Sequence, residues 1–381
     1  MTLSNAIHHM SSDIPTWSGS VPITFHNYIF SLGNHLVKRE GNVISLSKDN
    51  GRTFTESLSV SGLGMIKMIH VFETGELMLC NDTQAFYSYD WQTLNQAQVI
   101  GFNGQSHQPS TYDNFSLTTT MNRQYVGNDE IKCWGNYSNA SGTEHVNINV
   151  WYTTDKGRTV KSAIKFGTSG GGLLASRYTR HVHSVDFLED DGSFWVQTGD
   201  HGDEPLVARG YYNPSNDNWT WELIGTGQNF KFGNLQFHNG WAYWTGYVAG
   251  GGGMKAPINQ IQNVSSHQRL VQTINDAVSL ILGKRGDVAV TNSKWPNITT
   301  EVAHTIYYAP DGVNFTRITG DIPAGANNET KYEKVFGVNS QGKVLSGVWV
   351  DGQPGWEEWD GLPSVWLDDI IRNAGFPNAF R

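Results

Sequence analysis

The sequence predicts an all-β fold: a single β-propeller domain over residues 1–381, built of about seven four-stranded blades, the class of many short strands at blade-length spacing. Three observations carry that prediction. A unit of apolar strand, polar or glycine turn and second apolar strand recurs about seven times, spaced on the order of 40 to 60 residues, the period of a propeller blade. Glycine reaches 42 beside 14 Trp, 15 Tyr and 17 Phe, a composition of short strands and tight turns. Helical periodicity is scarce, and only residues 364–373 invite a short helix.

Taken in order, the first unit covers 25–47 and turns at Gly33-Asn34. The second covers 65–82 around Glu73-Thr74-Gly75, and the third 117–137 around Gly127-Asn128-Asp129. The fourth, 177–204, turns at Glu189-Asp190-Asp191-Gly192. The fifth spans 232–247 around His238-Asn239-Gly240, the sixth 277–292 around Lys284-Arg285-Gly286, and the last 332–350 around Asn339-Ser340-Gln341-Gly342. Each is two apolar runs separated by residues that accept a reversed backbone.

A second signature follows several units. Ser47-Lys48-Asp49-Asn50-Gly51-Arg52-Thr53-Phe54 has the spacing S-x-D-x-G-x-T-F, and Thr153-Thr154-Asp155-Lys156-Gly157-Arg158-Thr159-Val160 nearly repeats it. A shortened form occurs at Asp311-Gly312-Val313-Asn314-Phe315, with weaker echoes around Asp90 and Asp217. The physics is that of a hairpin turn: Asp accepts backbone N–H bonds, Gly takes the left-handed conformation, and the aromatic residue plugs the core. On these residues the chain resembles the Asp-box (BNR repeat) β-propellers of the sialidase-like superfamily. In such proteins the boxes are structural, so the resemblance implies architecture and no catalytic role for Asp49 or Asp155.

Composition narrows the function classes. The 26 basic and 35 acidic residues give a net charge of −9 with no basic block, which argues against a nucleic-acid partner. No run approaches the ~18 apolar residues of a membrane span, so membrane insertion is not expected. The first residues lack a basic start and an apolar segment, so no signal peptide is read; the expected setting is cytoplasmic, or extracellular as part of a virion. Two cysteines, Cys80 and Cys133, read as buried free thiols. No cofactor is expected, with a structural or catalytic divalent cation left open, and the sequence carries no signal of oligomeric state.

Chemically able side chains are densest in the fourth unit, Arg177-Tyr178-Thr179-Arg180-His181-Val182-His183. Alternation along a strand points His181 and His183 to one face and Val182 to the other. Folding the hairpin about Asp190-Asp191 sets His181 opposite Asp200, and a bulge near the turn sets it opposite His201. Aligning the units by their turns brings His26, Lys67, Asn114, His181, Lys231, Asn275 and Lys331 to equivalent strand starts. Such a ring of cations and amides at a propeller mouth suits an anionic or heavily hydroxylated ligand such as an acidic polysaccharide.

A sialidase needs an arginine clamp, and the stretch Val21-Pro22-Ile23-Thr24 lacks the arginine that opens it in those families, so sialidase activity is not expected. The His, Tyr and Arg content is similar to that of the propeller polysaccharide lyases of the ulvan lyase type. That resemblance implies His181, His183 or His201 as base, Tyr178 or Tyr243 as acid, and Arg177 or Arg180 neutralising a uronate carboxylate. Glycoside hydrolysis is the lesser enzymatic alternative. The competing reading is a non-catalytic glycan-binding or structural module, such as a phage tail protein.

Plainer roles compete residue by residue. The histidines can bond neighbouring backbone, and Arg177 and Arg180 can pair with Asp190, Asp191 or Glu204. Asp200, His201, Asp203 and Glu204 read more readily as a solvated turn than as a metal site. The run 250–253 of four glycines reads as a flexible rim segment rather than a phosphate loop, and most tryptophans as filler.

Overall fold

Alternating apolar residues with a glycine or Asx turn every few positions leave the backbone one economical solution, the antiparallel ladder. The computed structural model describes residues 16–17, 28–64, 66–109, 122–137, 148–167, 174, 177–246, 251–273, 277–292, 305–319, 330–333, 337–350 and 364–381. Among them it shows seven sheets, antiparallel but for two short parallel additions. The fold class is the all-β propeller.

Among the described residues, those from 28 to 231 form one compact unit, and 16–17, 232–350 and 364–381 form a second. The first unit holds four sheets. The strands Tyr28–Leu32, His35–Glu40, Val43–Ser47 and Glu56–Ser59 make the first, and Met68–Val71, Leu77–Cys80, Ala85–Ser88 and Asn95–Gln96 the second. The third consists of Gln124–Val126, Asp129–Gly135, Asn149–Thr153 and Thr159–Lys165, with Gln98–Ile100 added in parallel at its edge. Val182–Leu188, Ser193–Thr198, Leu206–Asn213 and Asn218–Thr226 form the fourth.

In the second unit, Phe232–His238, Trp241–Gly246, Gly252–Pro257 and Gln268–Gln272 form the fifth sheet. Ala277–Leu282, Val288–Asn292, Thr305–Ala309 and Thr316–Thr319 form the sixth, with Thr16–Trp17 added in parallel. The seventh has three described strands, Thr330–Glu333, Leu345–Val350 and Ser364–Trp366. A helix follows at Leu367–Asn373. It is shorter than the expected 364–373 because Ser364–Trp366 pairs with Leu345–Val350 before the chain turns helical.

All seven expected hairpins are the first hairpins of the seven sheets. Their turns carry glycines in the left-handed region, as at Gly33 and Gly192 (φ 61° and 70°), where a side chain would be strained. The Asp motifs also fall at one place, between the third and fourth strands. Asp49 accepts from the Thr53 amide (2.9 Å) and hydroxyl (2.7 Å), and Asp155 from the Thr159 amide (2.8 Å). Asp90, Asp217 and Asp311 occupy the same turn of the second, fourth and sixth sheets.

Val182, Val185, Phe187, Phe194 and Val196 of the fourth sheet pack with Ile131, Cys133, Val150 and Ile164 of the third. Fully burying an aliphatic or aromatic side chain contributes about 1.5–3 kcal/mol, so this stack, not any surface ion pair, holds the two sheets together. Cys80 and Cys133 are free and buried, as expected. The glycine run departs from expectation. Gly252 and Gly253 lie in a strand, and a Cβ on Gly252 would fall 1.9 Å from the Val271 carbonyl oxygen. These glycines admit a neighbouring strand and are not a loop; Gly250 lies outside the described residues.

Candidate functional site

The fourth sheet brings its histidines together through a bulge. From Leu188↔Ser193 to Ser184↔Gln197 the first two strands keep strict register, then slip so that Val182 faces Thr198. His183 is the extra residue. Without the slip, His183 would share a face with Val185 and Phe187 in the core; with it, Val182 takes the core position and His183 turns away. Val182 packs onto Gly135 so closely that a Cβ there would lie 2.2 Å from Val182 Cγ1. The bulge therefore sits at the start of the strand, not near the turn. His181 faces Gly199, whose amide donates to the His181 carbonyl (3.2 Å), and neither Asp200 nor His201 is its register partner.

Asp200 still reaches both imidazoles, because the turn after Ser193–Thr198 is tightly held. Gly199 (φ 75°) and Gly202 (φ 56°) reverse the chain, Thr198 Oγ1 donates to the Glu204 carbonyl (2.8 Å), and the Asp200 amide donates to Glu204 Oε2 (3.2 Å). Gln228 Nε2 donates to the Gly202 carbonyl (3.3 Å). The Asp200 carboxylate lies 3.0 Å from His181 Nε2 and 3.3 Å from His183 Nε2, and the two Nε2 atoms are 3.2 Å apart. Lys231 Nζ is 3.3 Å from the same carboxylate and Arg180 Nη2 3.8 Å, while Arg180 Nε binds Glu204 at 3.1 Å. Tyr137, from the end of the third sheet, stacks on the His181 ring at 4.3 Å and 14°.

His181 and His183 are buried, at 6% and 8% exposure, whereas the side chain of Asp200 keeps 22%. Burial alone would raise the Asp200 pKa, but the hydrogen bonds and charges of His181 and His183 overcome it and hold the carboxyl far below the usual carboxylate range. Lys231 and Arg180 face Asp200 and Glu204.

The other expected residues divide as follows. Lys67 and Lys231 directly precede the first strands of their sheets, as expected; Lys67 is buried and lies 3.6 Å from Asp82. Lys331 lies one residue inside Thr330–Glu333, not ahead of it. His26, Asn114 and Asn275 lie outside the described residues. His201 is exposed, and what fixes it is its backbone carbonyl, which accepts from Glu204. Tyr178 is 48% exposed, and Arg177 is held through its backbone to Leu174 and Gly167. Tyr243 belongs to the fifth sheet, half-buried, its phenol pKa raised by burial. Of the expected residues, the structure thus gathers His181, His183, Arg180 and Lys231 around one carboxylate.

Tyr137 carries no signal in the sequence, since only the packing of the third sheet against the fourth places it there. A second polar cluster was equally invisible. Arg123 Nη1 binds Glu130 Oε1 (2.6 Å) and the Val71 carbonyl (2.9 Å), and its Nη2 lies 2.7 Å from His35 Nδ1. His70 Nε2 is 3.2 Å from Glu130. Burial, with Arg123 next, pulls His35 down to about 4, and burial pulls His70 to about 4. The same burial would raise Glu130, but His70 and Arg123 hold it down to about 2. These groups tie three sheets together and are spent on one another.

No protein-family model matches the chain, and no curated protein matches its sequence. Solved structures do. Apo prolyl oligopeptidase B from Galerina marginata is 9% identical, covering 85% of this chain and 47% of that chain, with a TM-score of 0.51. The same enzyme bound to a 35mer substrate is 10% identical over 91% and 52%, with a TM-score of 0.50. YCF48 bound to D1 peptide is 11% identical over 93% of this chain and 99% of that one, TM-score 0.50. The chain spans about half the length of the prolyl oligopeptidase structures. At such identities the likeness shows the β-propeller fold alone.

Proposed function

We propose that the protein is an Asp-box propeller that binds an acidic polysaccharide at the His181–His183–Asp200–Lys231 cluster and cleaves it by a lyase reaction. The observation that supports this reading is the convergence of two imidazoles, a lysine and an arginine on one partly exposed carboxylate. In β-elimination, positive charge beside a uronate carboxylate acidifies the proton on the neighbouring ring carbon. A base takes that proton, the C–O bond to the leaving sugar breaks as the double bond forms, and an acid gives a proton to the leaving oxygen. Lys231 and Arg180 supply positive charge, and Tyr137, stacked on His181, supplies a phenol for proton transfer.

A non-catalytic glycan-binding module is the second reading, and one observation favours it. Both cations are already engaged by Asp200 and Glu204.

Incubation with a panel of uronic acid polysaccharides, followed by absorbance of the unsaturated product, separates the two. Product formed by the wild type and lost in Tyr137→Phe, with binding retained, supports the lyase. Binding without product, weakened in Lys231→Met, supports the module. No binding to any member of the panel overturns both.

A further inference from the structure

We propose that His181, His183 and Asp200 form a binding site for a divalent first-row transition-metal ion, with zinc the best match. The three side chains offer Nε2, Nε2 and a carboxylate oxygen, and these atoms all lie within 4.8 Å of one another. Their separations are 3.2 Å between the imidazoles and 3.0 and 3.3 Å to the carboxylate. Ligands about 2.0–2.1 Å from a zinc ion at tetrahedral angles stand roughly 3.3 Å apart. The spacing of the donors is thus that of three corners of a zinc tetrahedron.

The same atoms can serve an ion in place of hydrogen bonds. A neutral imidazole carries a hydrogen on one of its two nitrogens, and that hydrogen serves one direction well. Here each Nε2 confronts both the other imidazole and Asp200. With both Nε2 atoms protonated, each N–H has its own Asp200 oxygen, Oδ2 for His181 and Oδ1 for His183; with neither protonated, lone pairs of all three side chains converge on one point. A cation at the centre satisfies all three donors without any hydrogen. The bulge at His183 and the left-handed Gly199 turn hold these groups in place, so little reorganisation opposes binding.

Donor type selects the ion. Two imidazoles and a carboxylate suit zinc and its first-row neighbours, whereas calcium and magnesium take oxygen sets. Three protein ligands leave a coordination position for water or for a sugar carboxylate. An ion on Asp200 would also compete with Lys231 for that carboxylate and turn its ammonium toward an anionic ligand, while Arg180 stays on Glu204. Lys231 Nζ, 3.3 Å from Asp200, opposes a dication, so its removal should strengthen metal binding.

The site goes beyond the glycan reading and stands without it, because its test contains no sugar. The full-length chain, stripped with a chelator, is titrated with cobalt(II) and followed by visible absorbance, then back-titrated with zinc. One cobalt per chain with four- or five-coordinate d–d bands, displaced by one equivalent of zinc, is the expected result. His181→Ala and His183→Ala should each weaken binding on the order of 100-fold, and Lys231→Met should tighten it about tenfold, as loss of a nearby like charge requires. Zinc should raise the unfolding temperature of the wild type and not that of the double histidine variant. A folded wild type that gives no cobalt bands overturns the proposal, as do bands unchanged in the double variant. Should the double variant fail to fold, the wild-type titration decides alone.

Discussion

Gly199 shows how much of the site rests on one residue. Its φ of 75° is left-handed, and an added Cβ would meet the Glu204 backbone carbon at 2.3 Å, inside the turn that aims Asp200. Gly199→Ala should therefore cost about 1–3 kcal/mol and disturb the cluster. Gly192 shares the left-handed backbone (φ 70°), but its Cβ would meet nothing within 4 Å. Gly192→Ala should lower the denaturation midpoint less than Gly199→Ala; equal losses would show that strain alone, and not the Glu204 contact, sets the cost. His183 makes the complementary point. Alternation placed it beside His181, yet it arrives there only because a bulge gives its core position to Val182.

At the scale of the element, the Asp turns and the Arg123 cluster make different predictions. Asp155 accepts hydrogen bonds from the Thr153 hydroxyl (2.9 Å) and the Thr159 amide (2.8 Å). Asp155→Ala should cost about 1–2 kcal/mol, read by chemical denaturation, and leave binding at the His181 cluster unchanged. A loss of binding would contradict a purely structural turn. The Arg123 cluster confers a pH dependence. His35 and His70 have pKa values near 4 in the folded protein and near 6.5 when unfolded. Between those values the unfolded chain binds more protons, so stability falls as pH drops from about 6.5 to about 4. Glu130, held near 2, extends the loss as pH falls below its ordinary 4.5. Urea midpoints measured across this range should decline with acid, and His70→Asn should flatten the slope between pH 6.5 and 4. A midpoint insensitive to pH would refute the linkage.

For the molecule as a whole, the chain is proposed as one folding domain despite its two compact units. The second unit joins residues from both ends of the sequence: Thr16–Trp17 pairs with Thr316–Thr319, and the Phe380 amide donates to Asp287 at 2.8 Å. It is completed only when the whole chain is present. Calorimetry should show a single transition whose calorimetric and van't Hoff enthalpies agree. Two transitions would mean two separately folding domains.

Hairpin positions and the Asp turns were legible in the residue pattern because they are local. A glycine turn between two apolar runs, or an Asp two residues before a Gly, specifies its own geometry within a few residues. The nearness of His181 to Asp200 and of Arg180 to Glu204 was also within reach of the hairpin, but the approach of Asp200 to His183 and Lys231, the stacking of Tyr137 and the Arg123 tie were not legible. They depend on register slips, on sheet-to-sheet contact, and on which of two faces a buried strand gives up. Those outcomes are set by how side-chain volumes fit across distant segments, and no periodicity in a single strand encodes that fit.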